Sequence, residues 1–102
     1  MIGSTGVCTL MGNQTSPVIK NTMCPQQFWA FLHAGGVGGA ITVNGSPDGV
    51  NFLPVTTSPM MLSGATPLDV TPTSYDTCLY YQFVSTGFAA TDIVDISISG
   101  VA

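Results

Sequence analysis

The side chains able to do acid–base, nucleophilic or metal chemistry are few: His33, three cysteines (Cys8, Cys24, Cys78) and five aspartates (Asp48, Asp69, Asp76, Asp92, Asp95). Any Ser-His-Asp or Cys-His arrangement would have to run through His33. It follows Trp29 and Phe31 at two-residue spacing, so it shares their face of an extended segment, a face expected to be packed rather than open. The reading is a strand histidine with its hydrogen bond satisfied at an interface or surface, and no spacing around it supplies a second and third metal ligand. The cysteines stand 16 and 54 residues apart with no C-x-x-C step, which is not a metal motif. They read as small buried hydrophobes; the alternative is a Cys8–Cys24 bridge stapling the N-terminal segment.

The aspartates are accounted for locally. Asp48 belongs to a turn, Asp95 to the solvent face of the last strand, and Asp69, Asp76 and Asp92 lie in or beside loops, where Asp side chains bond nearby backbone. A carboxylate pair for glycosidic chemistry is therefore not expected. Calcium held by loop carboxylates is the weaker alternative, because no Asp-x-Asp-x-Asp run is present. The glycine-rich stretch 35–39 has no Lys and no following helix, so it fails as a phosphate cradle. The sequons at Asn13 and Asn44 read as chance matches. No enzyme and no cofactor are expected.

Composition narrows the partners. Of 102 residues only Lys20 and the five Asp are charged, 6% of the chain, with no Arg and no Glu and a net charge of −4; ordinary soluble domains carry about 25%. One lysine cannot neutralise a row of phosphates, so nucleic acid is excluded as a partner. The longest apolar run, 28–32, has five residues, far short of the ~20 that span a bilayer, and no membrane association is expected. The first ten residues carry no positive charge and no long apolar run, so no secretory segment is expected; with the odd number of thiols, this points to synthesis in a cytoplasm. Ser, Thr, Gly and Pro fill 41 of the 102 positions. Such a chain stays soluble through hydroxyls or lives against other proteins.

The elements that would position these residues are strands. Val, Ile, Thr, Phe and Tyr fit a pleated, half-buried surface, and no segment keeps a 3.6-residue apolar period for more than two turns. The clearest strand is 92–101, where Val94, Ile96 and Ile98 alternate with Asp95, Ser97 and Ser99. Segments 27–34 and 78–85 are apolar on both faces, the mark of a central strand or of one with a face under a partner. A Gly-rich turn at 34–39 predicts that 40–45 returns antiparallel beside 27–34, and Ser46-Pro47-Asp48-Gly49 predicts a tight turn. With 18–19, 52–55, 60–62 and 68–70 this makes about eight short strands. The expected fold is all-β, an antiparallel β-sandwich of jelly-roll or Ig-like type over 27–102, with residues 1–26 as an extended arm or edge strand. Trp29, Phe31, Tyr80, Tyr81, Phe83 and Phe88 are too many for one thin core, so an aromatic face carrying Trp29, Phe31, His33, Tyr80 and Val84 is expected to be buried between subunits.

Residues 38–55, Gly-Gly-Ala-Ile-Thr-Val-Asn-Gly-Ser-Pro-Asp-Gly-Val-Asn-Phe-Leu-Pro-Val, resemble a pattern of small virion proteins of tailed bacteriophages, GGATVTVxGSxDGxNWxPV. There the pattern is followed by a late aromatic strand (here Tyr80-Tyr81-Gln82-Phe83-Val84) and an alternating C-terminal strand (here 92–101). Phe52 stands where Trp is frequent, and the Arg often found in the late strand is missing. The resemblance implies a head decoration (cement) protein. Such a protein is a β-sandwich on the capsid exterior, made in the host cytoplasm, with the major capsid protein and copies of itself, as a homotrimer, for partners. Residues 1–26 would then reach across capsid subunits. Two alternatives are another virion component (tail, neck or minor capsid protein) and a carbohydrate-binding module stacking sugars on Trp29, Tyr80 or Tyr81.

Overall fold

Strict alternation gives each segment one apolar face, and such faces are buried most economically by stacking two sheets. The computed structural model describes residues 2–55, 59–72 and 79–101 and places nine strands in them: β1 (Ile2–Met11), β2 (Ile19–Lys20), β3 (Gln26–Leu32), β4 (Gly38–Ser46), β5 (Leu53–Pro54), β6 (Met60–Ser63), β7 (Leu68–Val70), β8 (Tyr80–Thr86) and β9 (Ile93–Val101). The first sheet has the order β1-β9-β3-β7. The second has β2-β8-β4-β5, with β6 also on β4. All pairs are antiparallel. The chain is all-β, as expected.

The pairs β1–β9, β2–β8, β3–β7 and β4–β5/β6 are nested one inside the next. A long two-stranded ribbon rolled up in this way is a jelly roll, so of the two sandwich topologies expected it is the jelly roll that forms. Phe28, Ala30 and Leu32 of β3 and Val94, Ile96 and Ile98 of β9 face Ile41 and Val43 of β4 and Tyr81 and Phe83 of β8, all buried. Each large side chain so placed is worth about 1.5–3 kcal/mol. Phe28 meets Tyr81 and Phe83 edge-on, with ring centroids 4.7 and 5.2 Å away. Beside them the buried Gln26 amide donates to the Tyr81 hydroxyl at 2.7 Å.

Two expectations are corrected. Segments 27–34 and 40–45 are not a hairpin: β3 pairs with β9 and β7, β4 with β8, β5 and β6, and residues 33–37 carry the chain from one sheet to the other. Their apolar faces oppose each other across the core instead of lying side by side. Gly38 makes the crossing possible: its φ is +118°, and a Cβ there would run into the Leu62 carbonyl oxygen. Of the two readings of 1–26, an extended arm or an edge strand, the edge strand is what forms, and it belongs to the sandwich instead of lying outside it. Residues 2–11 pair along β9 from Ile2↔Val101 to Met11↔Ile93, and Leu10 is 1% exposed in the core. Thr15 bridges Val84 and β2 pairs with β8, so this segment edges both sheets.

Leu10→Ala is therefore expected to lower the unfolding free energy by about 2–5 kcal/mol, measured by urea denaturation. A change near zero would return the segment to a peripheral arm.

Candidate functional site

The outward faces carry what the core does not. On the first sheet, Trp29 pairs with Val70 and Phe31 with Leu68 on one side, and with Ser97 and Asp95 on the other. The face is thus split: apolar over β3 and β7, where Phe31 and Leu68 are 45% and 51% exposed, and polar over Thr9 of β1 and Asp95, Ser97 and Ser99 of β9. The Trp29 indole N–H donates to Ser99 Oγ at 2.7 Å, which fixes the ring on the sheet. Met61, 60% exposed, stands beside β7, with its N–H donating to Asp69 Oδ2 at 3.1 Å.

Tyr80 and Val84 alternate with buried Tyr81, Phe83 and Ser85, so they point outward from the second sheet. Trp29, Phe31 and His33 belong to the first. The five residues expected to share one interface therefore lie on opposite sides of the sandwich. Tyr81 is 1% exposed and cannot stack on a sugar, which removes one of the three rings that a carbohydrate module would use.

His33 follows directly after β3 and is open to solvent, not packed as expected. Its Nε2 lies 2.7 Å from Asp95 Oδ2, and Thr9 Oγ1 donates to Asp95 Oδ1 at 2.8 Å. The His33 bond, then the Thr9 bond, hold the Asp95 carboxyl below the usual range. The carboxylate sits in the middle, so the Thr9 hydroxyl is bonded to the acid and not to the imidazole. A nucleophile–base–orienter chain needs the opposite order. A cleft of about 240 Å³ opens next to it between residues 33–36 and 91–93.

The other described carboxylates, Asp48, Asp69 and Asp92, are acceptors for backbone amides. Asp48 Oδ1 accepts from Val50 and Asn51 N–H at 2.8 and 2.9 Å, and its Oδ2 from the Asn51 amide. Ser46 Oγ, fully buried, accepts from the Asp48 and Gly49 N–H groups and donates to Asp48 Oδ1. These bonds depress the Asp48 pKa. Every polar residue of the Gly-Ser-Pro-Asp-Gly-Val-Asn stretch thus has a local turn-building role. Asp92, 3% exposed, accepts from Val37 and Gly38 of the crossover and from Ala89 of its own loop. The Gly38 and Val37 bonds lower its pKa most. The glycine-rich stretch does cradle an anion, but the anion is internal. The sequence pattern predicts that Asp92 bonds nearby backbone, and only the Ala89 contact is of that kind.

Asp76 and Cys78 lie outside the described residues. Among those described, no three His, Cys, Asp or Glu side chains gather to hold a metal, and no helix is long and apolar enough to cross a membrane. Cys8 faces inward opposite Ile96, and burial, then the Asp95 charge, raises its thiol pKa. Cys24 is exposed, contrary to the expectation of a buried thiol. It hydrogen-bonds Val101, five positions along β9 from the residue opposite Cys8, or ~16 Å, so a Cys8–Cys24 bridge is out of reach. Compared with known proteins, the sequence matches no protein-family model and no curated protein.

The Asp92 clamp predicts an acid limb. Its lowered pKa means that its contribution is full above the unfolded carboxylate value of ~3.9 and is lost as pH falls through the folded value. Asp92→Asn is expected to melt at a lower temperature at pH 7 and to lose less than the parent between pH 5 and pH 2.5; parallel curves would remove the clamp.

Proposed function

We propose that this chain is a structural protein of a phage virion, a decoration (cement) protein that binds the head exterior through the major capsid protein and copies of itself. One observation carries the reading: the surface is apolar where soluble domains are charged. Met11, Phe31, Val37, Val50, Leu53, Met61, Leu68 and Leu79 are all large, apolar and more than 40% exposed, while the whole sequence offers one cation and five anions. Contiguous exposed apolar patches mark interaction sites, and depletion of charge is the compositional signal of an interface core. The Phe31–Leu68 pair, flanked by Trp29 and Val70, is the patch assigned to the capsid.

Three further observations support it. The jelly roll recurs in viral capsid and lectin domains, an analogy of fold and not of site. The Gly38-to-Val55 stretch resembles that of small phage virion proteins. The described carboxylates, Asp48, Asp69, Asp92 and Asp95, bind the chain's own N–H and hydroxyl groups or its histidine, a use suited to a rigid building block. Weak contacts at each copy gain strength by repetition over a lattice.

The test is to locate the chain with a gold-labelled antibody on particles from lysates of the cells that make it, and to co-sediment the purified protein with heads lacking it. Head labelling with saturable co-sedimentation is expected. The double variant Phe31→Ser/Leu68→Ser should weaken head binding roughly tenfold or more, as loss of two exposed anchors does, with a much smaller change in melting temperature. Labelling of tails would move the protein to another part of the particle. Capture on polysaccharide without binding to particles would overturn the reading in favour of a carbohydrate module.

A further inference from the structure

We infer that β1 is a self-pairing edge, and that two copies of this chain join antiparallel through Ile2–Met11 into one continuous eight-stranded sheet. The inference rests on edge geometry and does not need the virion reading. In the order β1-β9-β3-β7, β1 has a neighbour on one side only. The Gly12 N–H donates to the Asp92 carbonyl, and with the register Leu10↔Val94 and Cys8↔Ile96 the alternation of an antiparallel ladder aims Leu10 and Cys8 at β9 and Thr9 and Met11 away from it. The other flank of β9 agrees, because the His33 N–H donates to the Ile93 carbonyl, so odd-numbered β9 residues serve β3 and even-numbered ones serve β1. Gly3 and Thr5, opposite Gly100 and Ile98, are thus tied to β9, and Ser4 turns its backbone groups outward. The Met11 N–H is capped by Gln14 Oε1 at 3.0 Å, which closes the open row at Thr9.

Exposed edges are normally blunted by charge, proline, brevity or a bulge. β1 lacks the first three, being ten residues long without a charged residue or a proline, and its one register shift, between Gly6 and Cys8, leaves regular pairing on both sides of it. The other edges of the described strands are blunted. β7 has three residues between Pro67 and Pro72, β2 has two, β5 has two and includes Pro54, and β6 has four, with its Met61 N–H held by Asp69 Oδ2 and its Ser63 N–H by the Thr66 carbonyl. A head-to-tail ring, as a trimer would require, must mate β1 with one of these short edges. Among the described strands the only edge long enough for β1 is another β1, which makes the contact two-fold and self-complementary. Charge permits it. Among the described side chains the nearest ionised one is Asp95, one strand in from β1 opposite Thr9. Two copies of Asp95 would stand three strand spacings apart, ~14 Å, beyond the ~8–10 Å screening length.

Light scattering of the full chain across a concentration series, with amide hydrogen exchange on the same samples, tests the inference. Expected are a monomer–dimer equilibrium and a Thr9 amide that exchanges fast when dilute and slowly when the dimer dominates. Thr9→Pro removes an outward backbone donor and no backbone bond to β9, and Thr9→Val, which loses only the hydroxyl bond to Asp95, is its control; the proline variant should weaken dimerisation roughly tenfold or more relative to Thr9→Val while the dilute melting temperatures of the two stay close. Should the proline variant misfold, Ser4→Pro and the exchange of the unmodified chain carry the test. A monomer at every concentration, a trimer, or a dimer whose Thr9 amide still exchanges fast would each overturn it. So would an edge filled only by a strand of a different protein. Failure here leaves head labelling, and with it the virion reading, unaffected.

Discussion

Phe28 reaches from the first sheet between Tyr81 and Phe83 of the second, and the two halves of the molecule are held in alignment by that three-ring contact. Rings meeting edge to face fix an angle as well as a distance. The Gln26 amide on the Tyr81 hydroxyl then satisfies a phenol that would otherwise be costly to enclose. Because Phe28, Tyr81 and Phe83 belong to β3 and β8, the central strands of their sheets, every other strand takes its position from them. The outward residues Trp29, Phe31, Tyr80 and Val84 are where they are because their neighbours in sequence are locked inside.

A chain with so few ionic groups must settle its polar accounts differently from most proteins. Carboxylates here serve as acceptors for otherwise orphaned backbone N–H groups: Asp48 within one turn, Asp92 across 54 and 55 residues of sequence to the crossover. Hydroxyls do the same, with Ser16, Ser46, Thr71 and Ser85 all buried and all bonded. The outer surface is left with little charge to keep neighbours away, and that makes its apolar patches and its open strand consequential.

Faces were legible in the sequence and neighbours were not. Period-two alternation showed that Val94, Ile96 and Ile98 point inward, and that Trp29, Phe31 and His33 share a face. It could not show which strand lies beside which, so the glycine run after β3 read as a hairpin although it passes between sheets, and Tyr80 and Val84 were grouped with Trp29 although the core separates them. β1 went unrecognised as a full strand for a definite reason. Its register shifts between Gly6 and Cys8, and a bulge puts two successive residues against one partner, which breaks the alternation that betrayed β9. The Asp92 clamp joins loops far apart in sequence, and no local pattern encodes it.

The nesting of β1 against β9 also orders events in time. A ribosome releases residues 2–11 long before 93–101, so the first ladder to be synthesised is the last that can close, and the newborn chain must carry a neutral, pairing-competent ribbon through most of its own production. Loop closure over such separations is slow, and unpaired ribbons are what quality-control machinery recognises and what aggregates propagate from. Successful folding of this chain would therefore depend less on how stable the finished sandwich is than on how well residues 2–11 are shielded while they wait.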